Sequence, residues 1–84
     1  MEQLDLINAV LDSADHNGFI VDSLDIKGDN LIVHMFTKDE EIYCNHAFSF
    51  ASSKHFKPKP WRYAHEEMQV AREAVERLRN RRYH

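Results

Sequence analysis

Cysteine occurs once in the 84 residues, at Cys44, so the chain closes no disulfide within itself. That excludes the cross-linked framework with which small secreted domains compensate for a small core. Glycine and proline are scarce as well, at two each, a composition unlike that of a flexible linker or a disordered tail. No run of about 18 apolar residues is present to span a bilayer. The opening residues carry Glu2 and Asp5 where an export signal has a basic stretch followed by an apolar one. A cytoplasmic protein in a reducing compartment is the expectation. Phosphate-binding glycine loops, G-x-S-x-G and C-x-x-C are absent too, which removes the support for the common enzyme classes; no catalytic residue and no cofactor is expected.

What is present suits one globular domain. Hydrophobic residues make up 43% and charged residues 30% of the chain, and this length holds one core and not two. The net charge of -3 hides an uneven distribution. Residues 1–50 carry ten acids against Lys27 and Lys38, whereas residues 51–84 carry nine bases against four glutamates. Such polarity means either a basic region for nucleic acid or two halves that attract each other in the folded chain.

Leu4, Ile7, Leu11 and Ala14, widened by Leu6 and Val10, recur at helical spacing and predict a helix over 3–16, closed by Asn17 and Gly18. The period then changes to two. Strands are expected over 19–27, 31–37 and 41–50, with a two-residue turn at Gly28-Asp29 and a four-residue turn at 37–40. These turns pair Ile26 with Leu31, Leu24 with Val33, Met35 with Ile42, Val33 with Cys44 and Leu31 with His46. A polar, basic connection over 51–59 ends in Lys57-Pro58-Lys59-Pro60. Trp61, Ala64, Met68, Ala71, Val75 and Leu78 then mark the core line of a helix over 61–82, with arginines gathered at its C-terminal end. The expected fold is α+β, one domain over 1–84: helix, three-stranded antiparallel meander, helix, with both helices on one face of the sheet. Trp61, Met68, Val75 and Leu78 are expected to be buried against Leu24, Val33 and Ile42.

Three constellations invite chemical readings. His65-Glu66-Glu67-Met68-Gln69 approaches the zinc-protease pattern, but Gln69 stands where the second histidine ligand belongs. Cys44 and His46 share one side of a strand, flanked by Ile42 and Phe48, which suits a buried thiol and a hydrogen-bonded core histidine better than an activated nucleophile. Asp22, Asp25 and Asp29 lack the ligand spacing of a calcium loop and read as strand-edge and turn residues. No metal site is expected from these spacings.

Two binding surfaces remain. With both helices on the inner face, Ile32, His34, Phe36 and Tyr43 on the outer face have nothing in the chain to cover them and form the leading candidate for a protein partner or for self-association. This predicts a small non-enzymatic protein-binding module that inhibits or adapts a larger partner, in the manner of a phage or bacterial accessory protein. The alternative is nucleic-acid binding by Lys54, Lys57, Lys59 and Arg62, a basic cluster with aromatic neighbours at a helix entrance, aided by the arginines of the second helix. The order helix, three strands, helix, with that basic stretch and Ala71-Arg72-Glu73-Ala74 following it, is similar to that of double-stranded-RNA-binding domains, which implies RNA as the ligand. The acidic first helix and the Pro58-Lys59-Pro60 interruption depart from that pattern.

Overall fold

A computed structural model describes residues 2–39, 41–55 and 60–82, and of Glu2 and Arg82 the backbone alone. Its elements run α1 (Glu2–His16), β1 (Phe19–Lys27), β2 (Asn30–Thr37), β3 (Tyr43–Ser49), α2 (Phe50–Ser53) and α3 (Pro60–Arg82). The strands form an open antiparallel sheet in the order β1-β2-β3, so the expected α+β meander between helices is observed. The expected strand over 41–50 is shorter, and its last residue opens α2. That turn of helix runs on into the expected 51–59 connection and is capped by the Ser49 hydroxyl, which accepts from Ser52 N at 3.2 Å. Residues 56–59 of the connection lie outside the described residues.

One core lies between the inner face of the sheet and the helices. Leu31, Val33 and Met35 on β2 and Phe48 on β3 are fully buried with Leu6 and Val10 of α1 and Ala64, Met68 and Val75 of α3. The alternation along β2, buried at Leu31, Val33, Met35 and Thr37 and half-buried between, leaves Ile32, His34 and Phe36 on the other face. Both helix stripes turn from the expected lines. In α1 the buried face is Leu6, Ala9, Val10, Ser13 and Ala14, while Leu4 and Leu11 are exposed; in α3, Trp61 and Leu78 are half exposed and Tyr63 takes the inward place. Leu24 and Ile42, expected in the core, are only half-buried at its margin. A periodic line names a face of a helix, but the length of the sheet beneath decides which residues along it are covered. Leu78, three residues beyond the last buried position at Val75, is not covered.

Gly18 closes α1 with φ 79°, its N–H donating to Asp15 O at 3.2 Å, and Gly28 takes φ 60° in the β1-β2 turn. That turn gives the expected pairs Leu24 with Val33 and Ile26 with Leu31. The β2-β3 register is a correction: Met35 pairs with Cys44, Val33 with His46 and Leu31 with Phe48. Thr37 causes the difference. It belongs to the ladder and not to the loop: Thr37 N donates to Ile42 O at 3.0 Å, and Thr37 Oγ1 accepts from Ile42 N at 3.0 Å. The displacement is two residues, so every side chain keeps its expected face.

The two oppositely charged halves of the chain are joined at Asp39 in the β2-β3 loop, on which Arg72 and Arg79 of α3 converge at 2.9 and 3.1 Å. Within the acidic half, Lys38 binds Asp15 of α1. Hydrogen bonds from Arg72 lower the Asp39 pKa to about 2. A carboxyl depressed in the folded state stabilises the fold above its unfolded pKa, about 3.9. That contribution is lost as pH falls toward the folded value. Asp39→Asn should therefore unfold at lower urea than the parent at about pH 6, and the two should converge toward about pH 2. An equal gap at both pH values would remove the electrostatic account.

Candidate functional site

The outer face of the sheet is assembled from alternate residues of all three strands. Ile32, His34 and Phe36 lie along its centre, Ser23 and Asp25 of β1 flank His34 and Ile32, and Tyr43, Asn45 and Ala47 of β3 lie opposite Phe36, His34 and Ile32. The four expected contact residues are thus brought together. No described helix covers them, since α1 and α3 bury their stripes against the inner face. Two further members are Asp25, which alternation puts on this face but which reads in sequence as a solvated edge residue, and Ile20, which alternation puts on the other face. The ladder slips between Val21 and Ser23, and one extra residue there reverses the facing of everything before it. Ile20 thereby leaves the side of Leu24 and Ile26, joins Phe36 on the outer face and is 55% exposed.

Hydrogen bonds fix the middle of this face. His34 Nδ1 lies 2.6 Å from the Tyr43 hydroxyl, and His34 Nε2 lies 3.3 Å from Asp25 Oδ2. With Asp25 ionised, Nε2–H donates to it and Nδ1 accepts from the tyrosine O–H. The chain crosses the strands diagonally, because Asp25 pairs directly with Ile32 and Tyr43 with Phe36. The Tyr43 ring stacks near His34, with centroids 6.2 Å apart, and meets the edge of Phe36 at 5.3 Å. Asp25, His34, Tyr43 and Phe36 are therefore held in one geometry before anything binds. A shallow groove of about 380 Å³, lined by Ile20, Phe36, Thr37, Lys38 and Glu41, opens at one end of the face. Such an array offers apolar area, an aromatic edge and a phenol already oriented.

Cys44 and His46 lie on the inner side. His46 Nε2 is 2.7 Å from Glu67 Oε2 of α3, and its ring meets Phe48 edge-on at 5.0 Å. Burial pushes the Cys44 thiol up, away from the thiolate. The zinc-like helix segment closes on itself, with Gln69 Nε2 3.3 Å from His65 Nε2. Among the described residues no three histidine, cysteine or carboxylate side chains gather where a metal would need them, and no described helix is long and apolar enough to cross a membrane.

Of the basic cluster, Lys57 and Lys59 lie outside the described residues, Lys54 caps the end of α2 and Arg62 is exposed on the first turn of α3. Arg62 Nε lies 3.7 Å from Glu66. Asp5 and Asp12 of α1 wall the groove that Pro60 and Trp61 line from the other side, placing acid beside this helix entrance. The Asp39 pairs already engage Arg72 and Arg79. No family model, curated protein or solved structure matches this chain.

Proposed function

We propose that the protein is a small protein-binding module that inhibits or adapts a larger partner, and that Ile32, His34, Phe36 and Tyr43 are its contact residues. One observation carries the reading: the outer face gathers Ile20, Ile32, Phe36 and Tyr43 on three strands without a described element over them, around a polar chain that holds His34 and Tyr43 in place. A surface ordered before contact loses little side-chain entropy on binding, and aromatics flanked by aliphatics dominate the centres of protein interfaces. The partner is a protein surface of matching apolar character, with a groove-filling side chain near Ile20 and Phe36.

Phe36→Asp tests it. The residue is half-buried on the outer face, so the charge is solvated in the free protein and desolvated only under a partner. Wild-type and variant chains would be immobilised side by side against nuclease-treated extract of the host cell. The variant is expected to keep the circular dichroism spectrum and to lose at least tenfold in capture of whichever protein the wild type retains. Capture undiminished in a folded variant would sink the proposal. Nucleic-acid binding through Lys54, Lys57, Lys59 and Arg62 is the competing reading, weaker because acids adjoin that segment and Asp39 holds two of the helix arginines. It would gain if retention on RNA or DNA fell steeply with salt and vanished when those three lysines were changed to Gln.

A further inference from the structure

We infer that the free edge of β3, with the adjoining flank of α3, is the contact surface for a second copy of this chain, paired antiparallel about a twofold axis at Asn45. Thr37 N donates to Ile42 O and Phe50 N to Asp29 O. In the antiparallel pattern alternate residues face the neighbouring strand. Cys44, His46 and Phe48 therefore turn their peptide groups to β2, and Tyr43, Asn45 and Ala47 turn theirs outward. All three are exposed.

Open edges are ordinarily guarded by charge, proline or a bulge. The opposite edge is guarded: β1 has its irregularity beside Asp22, and carries Asp25 and Lys27. The β3 edge is not. Its seven residues, Tyr-Cys-Asn-His-Ala-Phe-Ser, contain no charged residue, glycine or proline, and its register is unbroken. About an axis at Asn45, Tyr43 pairs with Ala47 of the second copy and Asn45 with its own counterpart, so a large side chain meets a small one and no like charges are opposed.

The helix above supplies an independent reason. Glu67 reaches His46 of β3, whereas Arg72 reaches Asp39 and His65 reaches Asn17, just past the end of α1, on the other flank. Glu67, Val70, Ala74 and Leu78, spaced three, four and four, thus run along the side of α3 that faces β3 and away from α1. Val70 is 54% and Leu78 52% exposed, and Ala74 is exposed. Acids come first on this flank, at Glu66 and Glu67, and bases last, at Arg77 and Arg81. Strand pairing across β3 would bring the two α3 helices side by side on one face of a six-stranded sheet, antiparallel. In that order Val70 packs on Ala74 of the second copy, and Glu66 and Glu67 face its Arg77 and Arg81. A heterologous partner would have no reason to match both the strand pairing about Asn45 and the reversed charge order; a second copy matches both.

Tyr43 borders both surfaces, but this contact is made by the β3 backbone edge and the α3 flank and not by Ile32, His34 or Phe36, so this inference does not rest on the proposed function. Sedimentation of the full chain at tens of micromolar is expected to give twice the chain mass. Asn45→Pro removes an outward N–H that the β2-β3 ladder does not use, and Val70→Glu charges the exposed helix flank. Both are expected to keep the wild-type circular dichroism spectrum and to sediment as monomers, while Phe36→Asp stays dimeric. Asn45→Cys with Cys44→Ala is expected to form a disulfide between chains on mild oxidation, because directly opposed hydrogen-bonded residues lie about 5.5 Å apart at Cα, within disulfide reach. A monomeric wild type at these concentrations, a folded dimer of either Asn45→Pro or Val70→Glu, or a dimer in which the Asn45→Cys chains fail to cross-link would overturn the inference.

Discussion

Phe48→Ala should cost about 3 to 5 kcal/mol and move the urea midpoint by on the order of 2 M. The side chain is fully buried at the end of β3, with the His46 ring edge-on at 5.0 Å and the Tyr63 ring at 6.2 Å. Its loss leaves a cavity that the sheet and α3 cannot both close. Tyr63 also holds Ser49 N, which donates to its hydroxyl at 3.1 Å, so the void adjoins the bond that ties the end of β3 to α3. A domain of this size has a total stability of roughly 4 to 13 kcal/mol, and the variant removes a large share of it because the core is continuous from β3 to α3. Leu78→Ala is the control. With half its surface exposed beyond the last buried turn, it should cost about 1 kcal/mol or less. Equal midpoint shifts for the two variants would mean that this core is drawn wrongly.

The contrast between Phe48 and Leu78 marks what periodicity can disclose. A change from a spacing of three and four to a spacing of two separates α1 from the sheet, and the sheet from α3, at residues 16 to 19 and again after Ser49. Gly28-Asp29 sets the first hairpin because a two-residue turn leaves one choice of pairing. Lengths and lids are less legible. Whether Leu4, Leu11, Trp61 or Leu78 is covered depends on where the sheet ends beneath the helix, a property of the assembled layers. The helical turn at Phe50–Ser53 is too short to leave a period, and its signal is the Ser49 cap alone.

At the candidate site the same logic separates the residues found from those missed. Ile32, His34, Phe36 and Tyr43 follow from the alternation of β2 and β3, which survives a two-residue displacement in register. Ile20 does not, since the irregularity before Ser23 reverses β1 and no glycine or proline announces it. Asp25 has the look of a solvated edge residue in sequence. Its bond to His34 appears only once the diagonal across β1 and β2 is known. Polar contacts between strands depend on register to within one residue, whereas burial depends only on parity.

Thr37→Val should destabilise the protein by about 1 to 3 kcal/mol, because it leaves the Ile42 N–H without the Thr37 Oγ1 that accepts from it. Thr37 is 1% exposed, and it is bound three ways: its N–H to Ile42 O, its hydroxyl to Ile42 N and its carbonyl to Glu41 N at 3.1 Å. Together these hold Glu41 at φ 54°, a left-handed conformation that a residue with a side chain keeps only where its neighbours over-determine it. The register itself should survive. A displacement by two residues would set His46 against the fully buried Leu31, carry Phe48 off the core and break the His46 bond to Glu67, a loss greater than one hydroxyl. The expected result is a folded variant with a lower urea midpoint and faster amide exchange at Ile42, with the amides of Cys44 to Phe48 still protected. Thr37→Ser keeps the acceptor and removes only a methyl group, so it should lose about 1 kcal/mol or less and keep slow exchange at Ile42. If valine were as stable as threonine, or serine as damaging as valine, the hydroxyl would not be what sets this turn.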